Sequence, residues 1–207
     1  MQFALDPSGT TIQASKGADA VCPQCKSKVI PKCGEIVIHH WAHEANECDP
    51  WWEPESHWHR SWKALLPKER VEVTRGHHRA DIVRTDGTVV ELQHSSISVP
   101  EIQERESFYG KMIWIFDGRD IPLNRLILRP KTDFPITQAT FRWKHPRKHY
   151  GICTKPVYID LGQTIFHLQK LYLDRPPYGG YGVIGQLEAF KGWVSEYGYI
   201  PPRKVAA

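Results

Sequence analysis

The sequence predicts an α/β (α+β) protein in which helices cover a mixed sheet. Three observations support this prediction. Helical and strand-like periodicities alternate from residue 51 to about 120, four of the five cysteines lie within residues 1–50, and the remainder is rich in Pro, Gly, Tyr and basic residues. The chain of 207 residues therefore divides into a metal-binding module at 1–50, a core at 51–120, and a basic and aromatic extension at 121–207 packed on that core.

The elements of the middle region follow from apolar periodicity and from the residues that interrupt it. A helix is predicted to begin at Pro54 and to end at Leu66, because Pro is favoured in a first turn and Pro67 cannot continue the helix. Alternating or continuous apolar runs then predict strands, and Gly110 ends a second helix. The predicted order is helix, strand, strand, strand, helix, strand, with the later elements at residues 70–74, 78–84, 88–93, 100–109 and 112–116.

Two acidic residues, Asp81 and Glu91, lie on the second and third of these strands. A two-residue Asp86-Gly87 loop would put the two carboxylates on opposite faces of the hairpin. A three-residue Thr85-Asp86-Gly87 loop would instead make them cross-strand neighbours. Glycine at the last loop position suits the left-handed conformation that the longer loop requires, so the sequence favours neighbouring carboxylates.

Neighbouring carboxylates repel each other unless a cation neutralises them, so this hairpin predicts a site for Mg²⁺ or Mn²⁺. The Leu92 carbonyl is a candidate third ligand, and Gln93 lies on the same strand face as Glu91, where it would orient an attacking water. A metal at such a site polarises a phosphoryl oxygen and activates water. Taken alone, the same residues also fit an exposed hairpin with solvated acids.

A polar stripe on the first helix consists of Glu55, His59 and Lys63, which follow one another at a spacing of four residues. A solvated ladder of charges explains this spacing. The functional alternative is that Glu55 or His59 reaches the catalytic metal or its bound water.

The N-terminal region contains Cys22 and Cys25 in a Cys-x-x-Cys pair, followed by His40 and His43. Together these four side chains predict a tetrahedral, structural zinc site of the zinc-ribbon kind. The interval between the two histidines is short for zinc ligands, so either of two further residues could substitute for one of them. The alternates are His39 and Cys48, and Cys33 is another candidate ligand. Free buried thiols and surface histidines are the other interpretation.

Candidate nucleic-acid contacts lie in two places. Arg105 and Tyr109 are one helical turn apart and either hold a phosphate or support the site. The segment Phe141–Tyr150 alternates cations with aromatic rings, a combination that binds phosphates and unpaired bases but also occurs on ordinary surface strands. Tyr178–Gly182 matches no phosphate-binding motif and is predicted to be a flexible loop. The cations selected from the mixed segment are Lys144, Arg147 and Lys148.

The order and spacing of these motifs resemble the competence protein CoiA-like family, a branch of the PD-(D/E)XK nuclease superfamily. The resemblance covers about residues 20–118. The matching segments are Cys22–Cys25, His40–His43, Glu55–Lys63, Arg79–Asp81, Glu91–Ser95, Arg105–Tyr109 and Trp114–Ile115.

The resemblance implies an αβββαβ nuclease core in which Asp81 and Glu91 bind the metal. It also implies that Gln93 replaces the usual catalytic lysine, and Lys63 is a candidate for the missing positive charge. We therefore expect a metal-dependent nuclease that hydrolyses DNA phosphodiester bonds in DNA processing, uptake, recombination or phage-related metabolism. The alternative is a zinc-stabilised DNA-binding module with a degenerate, non-cleaving nuclease fold.

Composition adds general expectations about location and partners. No apolar run is long enough to span a bilayer, and the N-terminus lacks the features of a signal peptide, so we expect a cytoplasmic protein without a membrane partner. The formal charge of +4 is a mild excess that does not by itself establish nucleic-acid binding. The expected partner is nucleic acid, with DNA favoured over RNA. Strandedness of the substrate, endo- or exonucleolytic action, the pathway and the oligomeric state do not follow from the sequence.

Overall fold

The computed structural model describes residues 1–36, 38–44, 48–133 and 136–196. Its helices and sheets give a mixed α+β protein, as the sequence predicts. The chain divides into two compact units, Met1–Val83 and Arg84–Ala207, while the division into three regions by composition stays a prediction. Within the described ranges, no helix is long and apolar enough to cross a membrane.

The first unit begins with five short antiparallel strands in the order β2-β1-β3-β4-β5. The buried residues that these strands enclose are mostly small. Such limited apolar burial stabilises a fold only weakly, and a module of this size generally needs a bound metal or another cross-link. The strands β1 to β5 are Phe3–Leu5, Thr11–Gln13, Ala20–Val21, Lys28–Lys32 and His40–His43.

The first unit also contains helix α1, His57–Lys63, and the antiparallel strands β6, Val71–Arg75, and β7, His78–Val83. Helix α1 begins later than the predicted Pro54 because Ser56 caps it: the Ser56 hydroxyl accepts a hydrogen bond from the His59 amide. Its apolar face contains two fully buried tryptophans, Trp58 and Trp62.

In the second unit, seven strands follow the order β10-β11-β14-β13-β12-β9-β8. The pairs β8–β9 and β9–β12 are parallel and the other pairs are antiparallel. Helix α2 forms the crossover between β8 and β9, as parallel neighbours require. The strands β8 to β14 are Val89–Gln93, Met112–Asp117, Leu126–Pro130, Thr137–Trp143, Val157–Asp160, Thr164–Tyr172 and Tyr178–Gln186, and the helices α2 and α3 are Val99–Tyr109 and Leu187–Val194.

The predicted element order between residues 54 and 117 is confirmed, and so is the three-residue loop that precedes β8. The amide of Arg84 donates to the carbonyl of Thr88 at 3.0 Å, and the amide of Gly87 donates to the carbonyl of Arg84 at 2.9 Å. Gly87 has φ +79°, the left-handed conformation that this loop needs. The loop is therefore Thr85, Asp86 and Gly87, as the sequence favours.

The prediction of a flexible loop at Tyr178–Gly182 is wrong, because these residues begin strand β14. Glycine is normally depleted in strands, which is why the sequence pattern suggested a loop. Here the glycines allow close approach of neighbouring backbone. A Cβ atom at Gly180 would collide with the Lys170 carbonyl, and one at Gly182 would collide with the His167 carbonyl.

Candidate functional site

Four metal-ligating side chains converge in the first unit, and their ligand atoms all lie within 4.8 Å of one another. The sulfur atoms of Cys22 and Cys48 are 3.7 Å apart, and the Cys25 sulfur is 3.2 Å from His43 Nε2. A tetrahedral zinc ion with Zn–S bonds of about 2.3 Å holds its sulfurs about 3.8 Å apart. Cys22, Cys25, His43 and Cys48 thus fit a structural zinc site.

The cluster differs from the predicted zinc site in one ligand. It contains Cys48, which the sequence analysis gave as an alternate, instead of His40. Both predicted histidines lie on strand β5, where successive side chains point to opposite faces. Residues three apart in a strand therefore cannot bind one ion, as they could in a helix. His40 instead places its Nδ1 atom 2.8 Å from the Ile38 carbonyl, and His39 is not part of the cluster.

The thiols of this cluster differ in acidity before any metal binds. Burial opposes ionisation of Cys25, but hydrogen bonds with Ser27 and His43 lower the pKa of its thiol to about 6. Burial and the neighbouring Cys22 raise the pKa of Cys48 to about 12. A bound zinc ion would favour the thiolate form of every cysteine in the cluster, including Cys48 with its raised pKa.

A second cluster in the first unit surrounds the ammonium group of Lys63. Its Nζ atom lies 3.1 Å from Glu55 Oε2, 3.2 Å from Glu72 Oε1 and 3.1 Å from Asp81 Oδ1. The side chains of Lys63, Glu55 and Glu72 are almost fully buried, whereas Asp81 keeps 22% of its side-chain surface exposed. One buried cation therefore contacts three carboxylates, one from the segment before helix α1 and two from strands β6 and β7.

The charges in this cluster stabilise one another strongly. Burial alone would lower the pKa of Lys63, but Asp81, Glu72 and Glu55 raise it above its ordinary value. Burial would likewise raise the pKa of Glu72, yet Lys63 and then Arg79 lower it well below its ordinary range. The charged forms of Lys63 and Glu72 are therefore favoured by their neighbours.

Glu72 is a member of this cluster that the sequence analysis missed. Its carboxylate also accepts hydrogen bonds from the amides of Gln2, at 2.8 Å, and Phe3, at 3.2 Å. Its φ of 51° lies in the left-handed region, which costs a non-glycine residue free energy. The register of strands β6 and β7 could have identified Glu72. Arg75 pairs with His78 across a two-residue turn, and the same register puts Glu72 opposite Asp81.

His59 lies next to the Lys63 cluster but is fixed by partners of its own. Its Nδ1 atom is 2.8 Å from the Ser56 hydroxyl in the helix cap, and its Nε2 atom is 3.4 Å from Glu53 Oε2. Burial opposes a charge on the ring, but Glu53 and then Asp81 raise the pKa of His59. These contacts account for the buried position of His59 without a catalytic role. Its catalytic role stays a prediction.

In the second unit, Glu91 lies buried on strand β8 and forms an ion pair with Arg105 of helix α2 at 2.8 Å. Arg105 is itself buried and also pairs with Glu101 one helical turn away. This geometry favours the supporting role of Arg105 over direct contact with a phosphate. Tyr109 follows on the same helix, and its contact with nucleic acid stays a prediction.

Gln93 ends strand β8 with a buried side chain. Its Nε2 atom donates to the Ser95 carbonyl at 3.3 Å, whereas its Oε1 atom accepts no hydrogen bond from any residue that the structure describes. A buried amide oxygen of this kind needs a donor, and a water molecule is a suitable one. Leu92, beside it, lies on the parallel pair β8–β9 opposite Ile115.

The predicted basic contacts in the second unit differ in accessibility. Lys144, just after strand β11, and Lys148 are exposed. Arg147 is half-buried and lies 3.5 Å from the carboxylate of Asp120. The two lysines are therefore available to a phosphate, whereas Arg147 already has an acidic neighbour.

Comparison with known proteins places one segment of the chain in a family. Residues 9–50 match the family model described as competence protein CoiA, N-terminal domain, which confirms the CoiA-like resemblance for the motifs Cys22–Cys25 and His40–His43. All four residues of the Cys/His cluster lie within this segment. No curated protein and no solved structure matches the chain.

Proposed function

We propose, from the CoiA match of residues 9–50 and the geometry around Lys63, that this protein is a metal-dependent nuclease that hydrolyses DNA. The observation that carries the proposal is the 3.1 Å separation between Lys63 Nζ and Asp81 Oδ1. Nucleases of the PD-(D/E)XK type place a lysine ammonium beside their metal-binding acids, and the motif resemblance assigns Asp81 to that role. Lys63 thus supplies, from helix α1, the charge that Gln93 lacks.

This interpretation takes the two helices and four strands between residues 57 and 117 as the αβββαβ core of that superfamily. An ammonium held at a fixed place by buried carboxylates can stabilise negative charge that develops on a phosphate during cleavage. Its position costs no reorganisation at the moment of reaction, because Glu55 and Glu72 hold it there.

The donor atoms around Asp81 fit a divalent cation. A carboxylate offers about four lone-pair sites, Lys63 uses Oδ1, and the side chain is partly exposed. Glu91 and the Leu92 carbonyl as further ligands remain predictions from the sequence. Mg²⁺ or Mn²⁺ bound there would polarise the scissile phosphate. The unsatisfied Oε1 of buried Gln93 fits an acceptor that orients a water molecule.

The decisive experiment compares DNA cleavage by the wild type and by Asp81→Asn with Mg²⁺ or Mn²⁺ present. The substitution keeps the volume of the side chain but removes its charge, so we expect cleavage to fall by about 100-fold or more while DNA binding persists. Linear, circular, single-stranded and branched DNA serve as substrates. Asp19→Asn is the matched control because Asp19 is an exposed acid paired with Lys28. Equal cleavage by wild type and Asp81→Asn would refute the assignment.

A second candidate function is a zinc-stabilised DNA-binding module that does not cut. The observation that favours it is that both predicted metal ligands have protein cations beside them, Lys63 for Asp81 and Arg105 for Glu91. Such cations can stand in for a lost metal. A wild-type protein that binds DNA but cuts no substrate with either ion would establish this alternative.

A further inference from the structure

One face of the sheet in the second unit is exposed across four neighbouring strands. Cross-strand partners share a face, and the register aligns two rows on it. The first row consists of Ile127, Arg142, Gly179 and Tyr172, and the second consists of Arg129, Thr140, Tyr181 and Lys170. Apart from Gly179, which is half-buried, every residue in these two rows is exposed. We call these eight residues the open face.

Two tyrosines give the open face its unusual character. Tyr172 is 48% exposed and Tyr181 is 44% exposed, although both lie in regular strands. They occupy adjacent strands, β13 and β14, so their rings lie on one side of the sheet. Exposed aromatic rings on a sheet are the surfaces on which proteins stack unpaired bases.

The open face is also positively charged. Arg129, Arg142 and Lys170 lie on it, and Arg175 follows strand β13 at its edge. Lys170 Nζ is 5.9 Å from the centroid of the Tyr172 ring, within the range of a cation–π contact. Asp174 contributes one negative charge beside these four cations, so the balance favours a polyanion.

A cleft of about 370 Å³ opens at one end of this face. Gly179, which has no side chain, lies between Arg142 and Tyr172, and Arg175 and Asp174 complete the rim. The volume falls within the range of small-ligand sites. A base can stack on the Tyr172 ring while its phosphate contacts Arg142 and Arg175.

We propose that the open face binds single-stranded nucleic acid, with one nucleotide in the cleft beside Tyr172 and the next base on Tyr181. This binding site extends the proposed function and rests on it for the choice of nucleic acid as the polyanion. Flat rings favour a single strand over a duplex, because duplex bases are already stacked on their neighbours and present only their edges. Cations alone would not discriminate between the two.

Fluorescence anisotropy with a labelled oligodeoxyuridine, the oligouridine of the same length, and a DNA duplex of equal length tests this proposal on the full zinc-loaded chain. Stacking contributes about 1–3 kcal/mol per base, so Tyr172→Ala and Tyr181→Ala should each weaken single-strand binding about 5- to 150-fold. Tyr172→Phe and Tyr181→Phe keep the rings and should bind within about 3-fold of wild type. Equal binding of the two oligonucleotides would identify a general single-strand surface, and a preference identifies its sugar.

Charge variants separate stacking from general attraction. Arg142→Gln should reduce the magnitude of the negative slope of log affinity against log salt by about 0.7. Lys16→Gln removes the same charge from an exposed turn of the first unit and should leave that slope unchanged. Tyrosine variants that bind like wild type, or a duplex bound as tightly as the single strand, would overturn the proposal.

Binding is measured without Mg²⁺ or Mn²⁺, so its result does not depend on cleavage. A protein that binds through the tyrosines but never cuts DNA refutes only the nuclease. A protein that cuts DNA while its tyrosine variants bind normally refutes only the open-face site.

Discussion

Lys63 illustrates how one residue can determine the stability of its surroundings. Its ammonium is the buried counter-charge of Glu55, Glu72 and Asp81. Carboxylates deprived of such a partner in a buried setting must either bind another cation or take up protons. The spacing of Glu55 and Lys63 suggested a solvated ladder of charges on the helix. The structure instead buries both side chains and places Glu55 before the first residue of helix α1.

We expect Lys63→Met to lower the free energy of unfolding by about 3–5 kcal/mol, because it leaves buried carboxylates without their cation. Urea unfolding followed by tryptophan fluorescence measures the loss. Lys68→Met is the matched control, since Lys68 is exposed and its replacement should cost less than about 0.5 kcal/mol. A Lys63→Met protein as stable as the control would show that the cluster contributes nothing net.

At the scale of the element, Gly87 affects the stability of the hairpin because it is the last residue of the loop before strand β8. Its φ of +79° is unfavourable for any residue with a Cβ atom, although no atom lies within 4 Å of that position. We therefore expect Gly87→Ala to cost about 1 kcal/mol through backbone strain alone. Gly34→Ala, also without neighbours within 4 Å and not at positive φ, should be nearly neutral in the same unfolding assay. Equal effects of the two would contradict the loop assignment.

Elements between residues 54 and 117 were predictable because their periods, caps and turn residues agree with their tertiary setting. Strand β14 was not predictable, because Gly180 and Gly182 weaken any strand signal in the sequence. The reason for glycine at these positions is seen only in the structure, where the neighbouring backbone leaves no room for a Cβ atom. The exposed tyrosines escaped notice for the same reason. At the candidate site, Lys63 and Asp81 were foreseen separately, while their pairing required the positions of the helix and strands.

The zinc ligands illustrate a different limit at the same scale. Cys22 and Cys25 form a short-range pair that the sequence shows directly. The choice between His40 and His43 depends on which face of strand β5 each side chain occupies, and spacing along the chain does not show this. Strand alternation is therefore the physical property that decides between His40 and His43.

At the scale of the whole molecule, the N-terminal strands β1 to β5 and the second unit differ in how they are stabilised. The N-terminal strands enclose a core of small residues apart from Val29 and Trp41. The second unit buries large apolar side chains on several strands, among them Trp114, Phe116 and Phe166. Because apolar burial provides most of the free energy of folding, the N-terminal strands should depend on the zinc ion and the second unit should not.

Metal analysis and hydrogen exchange together test this dependence. We expect about one zinc ion per purified chain, lost in Cys48→Ala and retained in His40→Ala, because only Cys48 belongs to the ligand cluster. Amide protection should fall by about 100-fold or more in strands β1 to β5 of Cys48→Ala and remain unchanged in strands β9 and β12, since binding energy at a structural zinc site is folding energy. Zinc retained by Cys48→Ala and lost from His40→Ala would restore the ligand set predicted from the sequence. Loss of zinc without loss of protection would show that the N-terminal strands are stable without a staple.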